Sequence, residues 1–99
     1  MLDLAASDLD TVRRILAAHV PECEVRAFGS RVNGQATRHS DLDLVVVATS
    51  PLGLERMGAL REAFQESDLP IRVDVMDWSE LSEGFRSVVD REWARVQGA

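Results

Sequence analysis

Gly29-Ser30, followed eleven residues after the serine by Asp41-Leu42-Asp43 at the head of the apolar run Leu44-Val45-Val46-Val47, constrains this chain more than any other feature. The glycine permits a sharp turn and a close approach of ligand to backbone. The serine adds a hydroxyl and an amide that can face phosphate oxygens where a helix begins. In a β-strand alternate side chains share a face, so Asp41 and Asp43 stand together while Leu42, Leu44 and Val46 point to the other side. Adjacent carboxylates repel, and a chain that holds two side by side ordinarily supplies a cation. Hard oxygen ligands favour Mg²⁺ or Mn²⁺, which keep open positions for substrate phosphates.

A third acid extends the pattern. Ile71-Arg72-Val73-Asp74-Val75-Met76 alternates in the same way, with Ile71, Val73 and Val75 on an apolar face and Asp74 beside Arg72 and Met76 on the other. Paired with the first strand, it would bring Asp74 to Asp41 and Asp43 and make a three-carboxylate, two-metal site suited to in-line phosphoryl or nucleotidyl displacement. Taken singly, each part has a bland reading. Gly-Ser turns are common in loops, and Asp-x-Asp on a strand is ordinarily a solvated face. Their conjunction at this spacing carries the inference.

The rest of the chain reads as one domain over residues 1–99, without linkers or repeats. Ser7 caps a first helix carrying Leu9, Val12, Leu16 and Val20 at helical spacing, which Pro21 stops. Residues 24–28 are a strand leading into the glycine turn, 30–36 a short helix, and 41–48 the second strand. A helix with Leu54, Met57, Leu60 and Phe64 follows the Pro51-Leu52-Gly53 loop, and the strand at 71–76 comes next. Asp77-Trp78-Ser79-Glu80 reads as a capping box for a last helix with Leu81, Phe85, Val88, Val89, Trp93 and Val96 on one face. The order α-β-α-β-α-β-α predicts an α/β (α+β) domain, a small mixed sheet flanked by helices.

Composition narrows the function. The net charge of −6 opposes the basic footprint of a nucleic-acid binder, so a long template or primer is not expected as a direct substrate. One cysteine, Cys23, excludes an internal disulfide. No apolar run reaches membrane-spanning length and the N-terminus lacks signal-peptide character, so the sequence predicts a cytoplasmic protein. Among secondary candidates, Arg31 suits a triphosphate contact or a surface ion pair, and Ser40 suits a turn cap or a nucleotide contact. Arg72 shares the acidic face and balances it, and Trp93 reads as either a core or an interface anchor.

These residues resemble the minimal nucleotidyltransferases (MNT domains) of the DNA polymerase β superfamily, whose hallmark is Gly-Ser, a short helix, Asp-x-Asp and an acid on a later strand. Gly29, Ser30, Arg31, Gly34, Ala36, Ser40, Asp41, Asp43 and Leu44 fall on that pattern, and Asp74 falls on the third acid. The resemblance spans residues 25–96 and is specific over 29–44; Asn33 departs from the basic residue that many members carry. It implies the polymerase β palm-like fold and Mg²⁺-dependent transfer of AMP from ATP to a hydroxyl. Asp41 and Asp43 would bridge two Mg²⁺ ions with Asp74 on the second, and Gly29, Ser30, Arg31 and Ser40 would serve the nucleotide. Small MNT proteins pair with HEPN ribonuclease toxins, so the resemblance further implies a heteromeric complex in which this chain attaches AMP to a toxin tyrosine and acts as antitoxin. The chain has no tyrosine of its own. Two other readings stay open: a subunit modifying a small molecule such as an aminoglycoside, and a non-catalytic module that binds a toxin. The acceptor, the choice of NTP, the number of nucleotides added and the stoichiometry are not written in the sequence.

Overall fold

Five of the apolar stretches become helices or strands close to where their periodicity puts them. The computed structural model describes residues 2–98. Helix α1 (Ala6–His19) leads to strand β1 (Glu24–Phe28), the short helix α2 (Ser30–Asn33), strand β2 (Leu42–Val47), helix α3 (Leu54–Gln65) and strand β3 (Val73–Asp77). A single 3₁₀ turn (Trp78–Glu80), helix α4 (Glu83–Arg91) and strand β4 (Ala94–Gln97) complete the order. The four strands form one sheet in the order β3-β2-β1-β4. β1 runs antiparallel to β2 and β4, while β2 and β3 are parallel, a pairing that needs a crossover and obtains it from α3. The α/β architecture with a mixed sheet flanked by helices is the one the sequence predicts.

Strand alternation divides the sheet into two unequal faces. Val25, Ala27, Leu42, Leu44, Val46, Val75 and Val96 pack against Val12 and Leu16 of α1 and Met57, Leu60 and Phe64 of α3. Each fully buried leucine there stabilises the fold by about 2 kcal/mol. The opposite face has a smaller cluster of Phe28, Val45 and Val89, bordered by Met76, Trp78, Phe85 and Trp93. Phe28 and Phe85 meet edge to face with centroids 5.8 Å apart. Asp43 and Asp74 belong to this second, thinly covered face.

The C-terminal region departs from the sequence reading. Asp77 does act as a cap, but its carboxylate accepts from the Ser79 amide and closes only the 3₁₀ turn. Helix α4 is opened instead by Ser82, whose hydroxyl accepts from the Phe85 amide, and it stops at Arg91. Trp93 and Val96 therefore do not continue a helical stripe. Trp93 precedes β4, and Val96 lies within it, paired through that strand to the edge of β1 that β2 leaves open. Ala94 and Val96 share a face at a period of two with Arg95 opposite, whereas Trp93 and Val96, three apart, suit a helix, and the unpaired edge of β1 decides between the two. Trp93 instead stacks under the Arg26 guanidinium, 4.0 Å from the ring centroid. Two helix starts and ends also differ. α1 begins at Ala6 without a side-chain cap, so Ser7 lies inside it, and α2 ends at Asn33 because Gly34 turns left-handed at φ +82°.

Asp77 also holds the loop after β2. Its second oxygen accepts from the Leu52 amide at 2.9 Å, while the first takes the Ser79 amide at 3.0 Å and hydroxyl at 2.8 Å. Burial pushes its pKa up, but these donors outweigh burial and the net result lies below the usual aspartate value. A carboxylate with a lowered folded pKa adds stability that is complete above its unfolded pKa and is lost as pH falls through the folded one. Asp77→Asn should thus cost roughly 2 kcal/mol at neutral pH. In calorimetric melting, the gap between wild type and variant should close as pH drops below about 4.

Candidate active site

The site is assembled by strand register. Phe28, the last residue of β1, pairs with Asp43 of β2, so the turn that follows arrives beside the Asp43 carboxylate. Gly29 adopts φ +78°, and a Cβ built on it would lie 2.5 Å from Asp43 Oδ2. Only glycine fits there, for both backbone and space. Ser30 then opens α2 directly after the turn. The glycine turn and the second acid of Asp-x-Asp are therefore in contact.

On the other side, Asp43 pairs in register with Asp74 of β3, across the parallel strands. Asp41 stands just before β2, where the Leu42 amide donates to the Arg72 carbonyl at 2.9 Å and prolongs the pairing. The Asp43 pKa is raised, first by burial and then by the charges of Asp74 and Asp41. Three carboxylates thus share one field. Arg72 partly offsets it, placing Nη2 3.0 Å from Asp74 Oδ1, as its position on the acidic face suggested.

Arg31 has a different task from the two the sequence left open. It is buried, and its guanidinium donates to the carbonyls of Asp3 at 2.9 Å and Ser40 at 3.0 Å, and at longer range to those of Arg38 and Thr37. The Asp3 amide returns a bond to the Arg31 carbonyl at 2.6 Å. Arg31 therefore ties the N-terminal segment to the loop that delivers Asp41, and its donors are engaged with main chain rather than with a triphosphate. Ser40 takes the cap alternative: its hydroxyl accepts from the Thr37 amide at 2.8 Å. Arg38 and His39 are exposed on the same loop. Arg31→Ala should leave several buried carbonyls unpaired and cost about 3 kcal/mol, and Arg31→Lys should restore only part of it because an ammonium cannot span the same carbonyls. Thermal melts of both variants check this.

The acids suit a hard divalent cation by donor type, mutual repulsion and shared face. Among the described residues, however, no group of three His, Cys, Asp or Glu side chains stands close enough to hold a metal ion by itself. Mg²⁺ is ordinarily held through one or two carboxylates together with substrate phosphates rather than in an all-protein cage. The donor set therefore fits a cation that arrives with a triphosphate. Beside the acids, Arg61 of α3 donates to the Val75 carbonyl of β3 at 2.9 Å, a placement for which the sequence gave no signal.

A glycine turn in contact with a carboxylate, which is in turn in register with another on the next strand, is an arrangement suited to nucleotidyl transfer. The chain matches the model of the nucleotidyltransferase domain family over residues 9–95 and belongs to that family; it is a nucleotidyltransferase. It is 45% identical over 96 residues to the probable protein adenylyltransferase MntA of Haemophilus influenzae, covering 97% of this chain and 84% of the relative. Among solved structures it resembles a toxin–antitoxin complex with AMP-PNP, at TM-score 0.76 and 24% identity over 92% of this chain and 73% of that one. It also resembles a chain of the complex of tri-AMPylated HEPN toxin with MNT antitoxin from Shewanella oneidensis, at TM-score 0.70 and 20% identity over 94% and 71% of the two chains. The last two likenesses are likenesses of fold. No helix among the described residues is long and apolar enough to cross a membrane.

Proposed function

We propose that this chain transfers AMP from ATP to a protein hydroxyl, a tyrosine of a HEPN toxin, and so acts as its antitoxin. The observation that carries the reading is the contact of the Gly29 turn with Asp43, itself in register with Asp74, because a turn suited to phosphate and acids suited to a cation then meet. The 45% identity to a probable protein adenylyltransferase supports the acceptor class. The HEPN toxin recorded as AMPylated in the Shewanella complex supports the partner.

Asp41 and Asp43 would hold Mg²⁺ against the triphosphate, and Asp74 would join them at a second ion. When bound, the cations neutralise charge on the triphosphate and lower the pKa of the acceptor hydroxyl. Gly29 admits the phosphates to the backbone, and the Ser30 hydroxyl with the first-turn amides of α2, which a helix leaves without internal partners, orients them. Asp74 takes the acceptor proton. The acceptor oxygen then forms a bond to the α-phosphorus as the bond to the β-phosphate oxygen breaks, and pyrophosphate leaves. No side chain of the site supplies a covalent nucleophile, so the displacement is direct.

Two preparations of ATP, labelled at the α- or the γ-phosphate, test the reaction type when each is incubated with the chain, Mg²⁺ and a HEPN partner. The α-label should become attached to the partner and the γ-label should appear in pyrophosphate. A γ-label on the partner would make the chain a kinase and end this reading.

A further inference from the structure

Beside Asp74, the outer edge of β3 carries a groove of about 620 Å³, lined by Arg61, Phe64, Leu69, Ile71, Arg72 and Asp74 among others. It exists because β3 is the last strand on its side of the sheet. The Arg72 carbonyl turns inward to the Leu42 amide, whereas the Val75 carbonyl turns outward and accepts from Arg61 at 2.9 and 3.3 Å. A side chain, not a strand, covers this edge.

The charge of the groove runs against that of the chain. The protein carries a net charge of −6, yet the groove is lined by two exposed arginines, Arg61, whose Nε and Nη2 donate to the Val75 carbonyl, and Arg72. Asp74 is the one carboxylate lining it among the described residues. The Arg72 side chain is 74% exposed while it pairs with Asp74. A guanidinium this exposed is solvated and can exchange one carboxylate partner for another.

We propose that this groove receives the polypeptide segment bearing the acceptor hydroxyl, and that it selects a segment with carboxylates flanking that residue. The inference rests on the reading above that the acceptor is a protein. Apolar side chains of the segment lie over Phe64, Leu69 and Ile71, and its carboxylates meet Arg61 and Arg72. Drawing Arg72 away from Asp74 frees that acid at the place where the hydroxyl arrives. Docking of the segment and release of Asp74 are then one event.

Binding is read by fluorescence anisotropy on the full chain without nucleotide, using two synthetic peptides of equal length, one with a tyrosine flanked by glutamates and one with the tyrosine flanked by lysines. Wild type should bind the glutamate peptide roughly tenfold more tightly, and the preference should fade at high salt. Arg61→Glu/Arg72→Glu should invert the preference, and Arg72→Ala, which removes one exposed side chain, should reduce it about threefold. Equal affinities, no binding of the glutamate peptide at millimolar concentration, or a preference unmoved in Arg72→Ala would overturn the proposal. So would sedimentation showing a wild-type dimer that Arg61→Glu disperses, since a second copy would then fill the groove. Because no nucleotide is present, failure here leaves AMP transfer standing, and a peptide that binds but is never modified separates the two in the other direction.

Discussion

Asp43→Asn is expected to abolish nucleotidyl transfer while raising the melting temperature of the free chain. The loss follows from removing an anionic group, the proposed metal ligand at the centre of the acids: several kcal/mol of transition-state charge stabilisation should disappear, a fall of about a thousandfold or more. The gain follows from the same geometry. Burial, with Asp74 and Asp41 nearby, raises the Asp43 pKa, so its charged form opposes folding at neutral pH. A carboxylate with a raised folded pKa exerts its full cost above that pKa, and the cost vanishes as pH falls through it. The variant should therefore melt higher by on the order of a few degrees at neutral pH, and the advantage should shrink toward acid pH as wild-type Asp43 takes up its proton. Melting curves across pH, run without metal, read the second effect independently of activity. A variant that loses activity and also stability would mean that Asp43 is a structural acid.

Gly29→Ala is expected to damage stability and catalysis together. At φ +78° and ψ −154° Gly29 occupies a region essentially reserved for glycine, where a side chain costs roughly 1 to 3 kcal/mol, and the new methyl would stand 2.5 Å from Asp43 Oδ2. Something must shift, and the carboxylate is the nearest thing. Misplacement of a catalytic group by about 1 Å costs on the order of a hundredfold in rate. Gly34→Ala is the control, since Gly34 also has a positive φ, at +82°, but nothing lies within 4 Å of its built Cβ. Its left-handed backbone, with ψ 8°, accepts a side chain more readily than that of Gly29, so it should lose less stability and keep its turnover. Equal activity losses in both would show that strain in α2, not contact with Asp43, limits the reaction.

Legibility in the sequence followed the range of the interactions. Gly29 and the Asp-x-Asp pair were readable because a turn and a strand alternation are local. Asp74 was readable because its own strand alternates and places it on a face, although the in-register pairing with Asp43 comes only from the fold. Arg31 was not, because its burial depends on carbonyls from Asp3 to Ser40 that meet only after folding. Strand β4 was not, because Trp93 and Val96 at helical spacing masked the short alternation of Ala94 and Val96, and the vacant edge of β1 chose the strand. The groove at β3 was invisible for a similar reason: Arg61 reads as an ordinary helix-surface residue until Val75 presents its outward carbonyl.

The central claim is that the acids gathered on the thinly covered sheet face transfer adenylate to a protein. Intact-mass spectrometry tests it most directly, applied to this chain and a HEPN partner after incubation with ATP and Mg²⁺, in parallel with Asp43→Asn. The partner should gain the mass of one or more adenylates with wild type and none with the variant, while the chain's own mass stays unchanged. An unmodified partner with wild type, or an equal gain with Asp43→Asn, would contradict it.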